Sequence, residues 1–137
     1  MMNEETREKM EAALANNTEM LRWCPDDELV WMQKGMIHME AKQFDEAVAA
    51  FSRAIIRWPY SAEPFNLRGH CMINMGNYAF AAADYQEAYR LNPDKWEIMY
   101  HYALALFLTG EYERAEMISR RTVAAAEGAG NLAAASA

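Results

Sequence analysis

Residues 31–59 read Trp31-Met32-Gln33-Lys34-Gly35-Met36-Ile37-His38, then Phe44, Ala47, Phe51 and Ala54, and close on Pro59; the same beat returns twice along the chain. Trp31, Phe65 and Met99 form a large apolar column spaced 34 residues apart, and Gly35, Gly69 and Ala103 form a small one. Phe44, Tyr78 and Tyr112 are aromatic, Ala47, Ala81 and Ala115 are identical, and Phe51 and Tyr85 continue as Ser119. Ala54 and Ala88 continue as Thr122, Gly76 and Gly110 follow Lys42, and Pro25, Pro59 and Pro93 keep the same register. Self-similarity at this period marks stacked supersecondary units, each too small to seal its own core. The columns describe packing. Glycine lets two helices approach, alanine keeps the facing side narrow, and the aromatics fill the gaps between, each contributing roughly 1.5–3 kcal/mol by burial.

Composition narrows the function. The chain has 137 residues, 53% of them hydrophobic, and a formal net charge of -7. That charge argues against duplex DNA and anionic membrane surfaces, which require clustered lysine and arginine; Arg120-Arg121 is the one adjacent basic pair. Cys24 and Cys71 stand alone rather than in a metal-ligand spacing, as thiols do in a reducing compartment. The acidic start Met1-Met2-Asn3-Glu4-Glu5 carries no apolar signal segment and no run is long enough to span a bilayer, so a cytoplasmic location is expected, with no membrane insertion.

The pattern predicts an all-α chain forming a single domain. Residues 1–25 form an N-terminal covering helix, with Asn3 as N-cap and Glu4 and Glu5 favouring its positive end. Pro25 stands one period before Pro59, so this helix holds the register of a repeat's second helix. Hairpins follow at 26–61, 62–95 and 96–129, and residues 130–137 are expected to be a flexible tail of small residues. Each first helix should end in a turn around Lys42, Gly76 or Gly110. The second helices should start at Phe44, Tyr78 and Tyr112, with Pro59 and Pro93 stopping the first two. Asp94 followed by Glu97 reads as a capping box.

The string Trp31-x2-Lys34-Gly35-x2-His38, Ala47-x3-Phe51, Pro59 resembles a tetratricopeptide repeat. The match recurs in Phe65, Gly69, Ala81, Tyr85, Ala88 and Pro93, and in Met99, Ala103 and Ala115. Lys34 and Arg68 depart from it where the family has an apolar residue, as does His38 where it has tyrosine. The resemblance implies a right-handed helical-hairpin solenoid of three repeats preceded by one N-terminal helix. It also implies a non-enzymatic module whose first helices line a concave, peptide-binding groove. Carried over column by column, the groove comprises Met32, Met36 and Met39, with Leu29, Gln33 and Glu40, from repeat one. Repeat two supplies Asn66, Leu67, His70 and Ile73, with Glu63 and Asn74. Repeat three supplies Tyr100, His101 and Leu104, with Glu97, Phe107 and Leu108. Methionine adapts to varied apolar partners, so the implied ligand is a protein or peptide segment with hydrophobic anchors, carrying a lysine or arginine at the rim. Self-coverage or a homodimer is the competing use of the same residues.

Co-chaperone members of the family grip an acidic carboxyl terminus with lysine, arginine and asparagine. The corresponding columns here hold Met32, Met36, Leu67, Glu97 and His101, which do not suit that task. Gly69-x-Cys71-x3-Met75-Gly76-x-Tyr78, His101-x-Ala103 and Gly110-Glu111-x3-Ala115-Glu116 resemble the small acidic chaperones of type III secretion, which hold hydrophobic translocators. A self-associating scaffold is the third reading. His70, His101 and Glu97 are donor types for a metal, but isolated groove histidines are read as polar rim residues. Cys71 next to His70 diverges from it on a helix, so no thiolate–imidazole pair is expected. No cofactor and no enzymatic activity are expected.

Overall fold

The computed structural model describes the backbone of residues 2–136 and the side chains of residues 2–130. Seven helices follow one another: α1 (Glu4–Trp23), α2 (Glu28–Glu40), α3 (Phe44–Arg57), α4 (Ala62–Asn74), α5 (Tyr78–Leu91), α6 (Trp96–Leu108) and α7 (Tyr112–Ser136). There is no strand among the described residues. Each helix packs on the next, and α2 also meets α4. The first helices of successive hairpins thus approach one another and form one layer of the solenoid, with α3, α5 and α7 forming the other.

The termini follow local chemistry. The Asn3 side chain accepts a hydrogen bond from the Thr6 amide at 2.7 Å, and Asp27 accepts one from the Leu29 amide at 2.9 Å. These side chains satisfy donors that the first helical turn leaves open. The predicted capping box on Asp94 does not form: Lys95 is the N-cap residue of α6 and makes no side-chain cap bond. Its ammonium instead reaches Glu63 on α4 at 3.3 Å. At the hairpin turns Gly76 and Gly110 sit at φ +81° and +86°. Lys42 adopts the same left-handed backbone at φ 60° and bears the steric cost of its Cβ.

The interior is organised by one contact. A Cβ built on Gly35 would lie 2.4 Å from the Phe51 ring, and one on Gly69 would lie 2.8 Å from the Tyr85 ring. Phe51 and Tyr85 are fully buried. In repeat three the pair becomes Ala103 opposite Ser119: the added methyl coincides with loss of the ring. One cluster gathers Met32, Ala47, Phe51, Ala54, Leu67 and Cys71 across repeats one and two, and a second continues from Met72 and Tyr85 through Met99 and Leu106 to Ile118. Asn17 on α1 falls one period before Phe51. This buried amide donates to the Val30 carbonyl at 2.9 Å and to Gln33 at 3.2 Å, fixing α1 on α2.

The two charged departures from the apolar pattern are accommodated differently. Lys34 and Arg53 lie over the Trp31 ring at 5.3 and 5.2 Å. Arg68 makes a two-pronged contact with the buried Asp84 at 2.7 and 2.9 Å, donates to Ser52 at 3.2 Å, and lies against the Phe65 and Phe80 rings. Burial pushes the Asp84 carboxyl up, and Arg68 offsets part of that rise.

The segment read from sequence as a tail at 130–137 falls partly within α7. The α7 backbone remains helical to Ser136, and Ala137 lies outside the described residues. Glu127 stands where the other repeats place proline, and the alanine-rich sequence beyond it favours helix.

Two substitutions test this account by urea denaturation. Gly35→Val should lower stability by about 1–3 kcal/mol through overpacking against Phe51, whereas Lys42→Gly should raise it by roughly 0.5–1 kcal/mol by relieving the left-handed strain. A neutral Gly35→Val would remove the central role assigned to the close approach.

Candidate functional site

The first-helix layer carries the residues that the sequence marks as a groove, and the structure divides them into two sets. Met32, Asn66 and Leu67 are buried rather than lining an open surface; Met32 and Leu67 belong to the first core cluster. Met32 and Leu67 meet across the boundary between repeats one and two, where Leu67 lies back against Ala47 and Phe51. Met39 and Ile73 are half-buried and pack against the core. Leu29, Met36, Tyr100, Leu104, Phe107 and Leu108 are exposed large apolar side chains. His70 and His101 are half-buried between these groups. The exposed apolar surface is therefore concentrated on α6, with Leu29 and Met36 at the other end.

The middle of the layer is a small aromatic-imidazole cluster. The Tyr85 hydroxyl and His70 Nδ1 share a hydrogen bond at 2.7 Å, in which the tautomer of His70 sets which of the two donates. The His70 and His101 rings meet edge to face with centroids 4.3 Å apart, and His101 stacks on Tyr85 at 5.7 Å. Burial and the neighbouring His101 lower the His70 pKa to about 4, against a smaller opposing pull from Glu63. Burial likewise lowers His101, opposed by Glu97 and Glu63. Both rings are thus neutral near pH 7 and act as flat, weakly polar packing surfaces. The adjacent Cys71 thiol is fully buried and pushed up to about 11, which leaves it without thiolate character. Among the described residues no group of three or more His, Cys, Asp or Glu side chains is placed to hold a metal. No helix there is long and apolar enough to cross a membrane.

Sequence reasoning missed the contact that His70 and His101 share with Tyr85. It also missed the Asn17 bond to the Val30 carbonyl and the Arg68–Asp84 pair. The signal for Asn17 was present, since a polar residue stands in a column that is aromatic in the next two repeats.

The histidines give stability a pH dependence with a definite sign. The unfolded chain protonates His70 near 6.5, whereas the folded chain resists until about 4. The contribution is therefore complete above pH 6.5 and is lost as pH falls towards 4. Urea unfolding at a series of pH values should show a steeper acid-side loss for wild type than for His70→Gln. Equal slopes would remove the neutral imidazole from the account.

Comparison with known proteins agrees with this geometry. The family described as "Tetratricopeptide repeat" matches residues 4–62 and 73–131. The chain is 27% identical over 85 residues to superkiller complex protein 3 of Mus musculus, an alignment that takes in 62% of this chain and only 5% of that protein. Its structure is similar to a crystal structure of MamA, with a TM-score of 0.81, 18% identity, and coverage of 93% of this chain and 77% of that one. It is also similar to the first repeat domain of Spaghetti (RPAP3) bound to the HSP90 peptide SRMEEVD, with a TM-score of 0.69, 21% identity, and coverage of 72% and 78%. At these identities the structural likeness speaks for the fold alone. Motif, hairpin geometry and family match converge: the chain belongs to the tetratricopeptide repeat family.

Proposed function

We propose that the chain is a protein-interaction module that binds a hydrophobic peptide or helical segment on the inner face of its first helices. The observation that carries this reading is the exposure of Met36, Tyr100, Leu104 and Phe107 on the layer formed by the first helices. Apolar side chains held on a rigid helical surface bind without an ordering cost of their own. Recognition of an amphipathic segment through spaced apolar anchors is a mode that such a groove supports.

The charge on this face sets the ligand apart from that of the RPAP3 structure, whose peptide SRMEEVD is acidic. Glu40, Glu63 and Glu97 lie on the first helices here, and the net charge is -7. An acidic peptide meets like charge, whereas a segment with apolar anchors and a flanking lysine or arginine meets complementary charge. The secretion-chaperone reading rests on the sequence resemblance alone.

Affinity capture from the native cells, with wild type and a Met36→Glu variant verified as helical by circular dichroism, tests the reading. A partner retained by wild type and lost with Met36→Glu is the expected result. An unchanged partner list would overturn the groove assignment and favour a scaffold that assembles by its ends.

A further inference from the structure

A cleft of about 420 Å³ opens between α5 and α7, lined by Tyr89, Arg90, Tyr102, Arg114, Ile118 and Arg121 among others. Small-molecule sites commonly enclose about 300–1,000 Å³. Tyr102 enters from α6 and is buried, and both walls are helices of the described chain. The α7 residues in it, Arg114, Ile118 and Arg121, lie on a different side of that helix from Tyr112, Ala115 and Ser119, which line a separate cleft with α6. The site is therefore built without any element beyond α7.

The chain holds an internal comparison one period earlier. Arg68 stands in the column of Tyr102 and Asp84 in that of Ile118, and there the guanidinium is neutralised by a buried carboxylate. Between α5 and α7 the roles change. Ile118 takes the carboxylate's place, and the guanidiniums come from the walls. Arg114 donates to the Tyr102 hydroxyl at 2.6 Å, and Arg121 donates to the Tyr89 hydroxyl at 3.2 Å. Burial pushes the Tyr102 hydroxyl up, so it stays a neutral phenol that aims a guanidinium without cancelling its charge. Arg90 pairs with Glu87 and Arg114 with Glu111 through partly exposed side chains, which water and salt weaken. Arg121 has no ion-pair partner among the described residues. A chain of net charge -7 thus gathers three arginines against one glutamate along a single cleft.

We infer that this cleft binds a phosphate monoester carried on a flat apolar body. A single carboxylate is satisfied by one guanidinium, as Asp84 is by Arg68. Guanidiniums drawn from both walls suit a group with three acceptor oxygens and a charge of about −1.5 to −2 at pH 7. The Tyr89 ring, the exposed Met117 and the aliphatic stems of the arginines offer the body of the ester an apolar wall. A phosphotyrosine of another protein and a free aromatic phosphate share this chemistry. The site is separate from the groove of the first helices and selects the opposite charge.

The probe is phenyl phosphate, titrated into the isotope-labelled full chain at fixed ionic strength and followed by nitrogen–proton correlation spectra. Expected results are saturable shifts of the Arg114 and Arg121 Nε–H signals, and binding about fivefold or more tighter than that of inorganic phosphate or benzoate. Arg121→Gln should weaken binding about fivefold or more, as loss of a charge-assisted hydrogen bond does, while Arg120→Gln and Met36→Glu leave it unchanged. Arg121 is exposed and its side chain bonds to Tyr89 alone, so Arg121→Gln should stay folded. Arg120 is the matched control, adjacent in sequence but paired with Glu116 outside the cleft. Tighter binding of a glycine-flanked phosphotyrosine peptide than of phenyl phosphate would support a protein as the source of the ester, and equal affinity would support a small molecule. No saturable shift overturns the inference, as do equal losses in Arg120→Gln and Arg121→Gln, which would leave only diffuse charge. Benzoate binding as tightly as phenyl phosphate would overturn the phosphate, and inorganic phosphate doing so would overturn the apolar body.

Discussion

The fold depends on the seating of an aromatic ring from a second helix against a first helix that has no side chain there. Phe51 on Gly35 and Tyr85 on Gly69 bring each hairpin's helices to a separation that a β-carbon would forbid. Everything outward is set by that separation: the alanine columns that line the narrow faces, the burial of the rings, and the angle at which the next first helix arrives. Repeat three keeps the hairpin while exchanging the partners, with Ala103 opposite Ser119.

The same seating connects the core to the first-helix layer. Tyr85 fills the space beside Gly69 and extends its hydroxyl to His70, which in turn meets His101 of the next repeat. The centre of that layer is therefore a continuation of the interior, built of neutral aromatic and imidazole rings. Exposed aliphatic and aromatic side chains lie to either side of it, at Met36 and along α6. A surface of this kind offers an apolar ligand a few anchoring places separated by a flat, weakly polar patch.

The helix boundaries were legible because each is set by a neighbour in sequence. Phe44, Tyr78 and Tyr112 open the second helices where the period places them, and Pro59 and Pro93 follow the ends of α3 and α5. What escaped the sequence reading depends on partners distant along the chain. Met32 and Leu67 lie in groove columns, yet they are buried against each other across the repeat boundary, and periodicity within one helix does not report what arrives from another. Asp94 followed by Glu97 had the form of a cap, but the adjacent Lys95 took the cap position and turned its side chain to Glu63.

Arg68 touches α3 through Ser52 and α5 through Asp84 while standing on α4. In a linear array, stability is the sum of unit terms and of couplings between neighbours. A side chain that spans three consecutive helices belongs to the coupling as well as to the unit. Repeats one and two are thereby tied into a block that gains or loses order together, with the carboxylate of Asp84 left buried and uncompensated if the tie breaks. The Arg68 tie thereby couples exchange protection across α3, α4 and α5, and the core cluster from Met72 and Tyr85 to Ile118 carries that coupling on into repeat three.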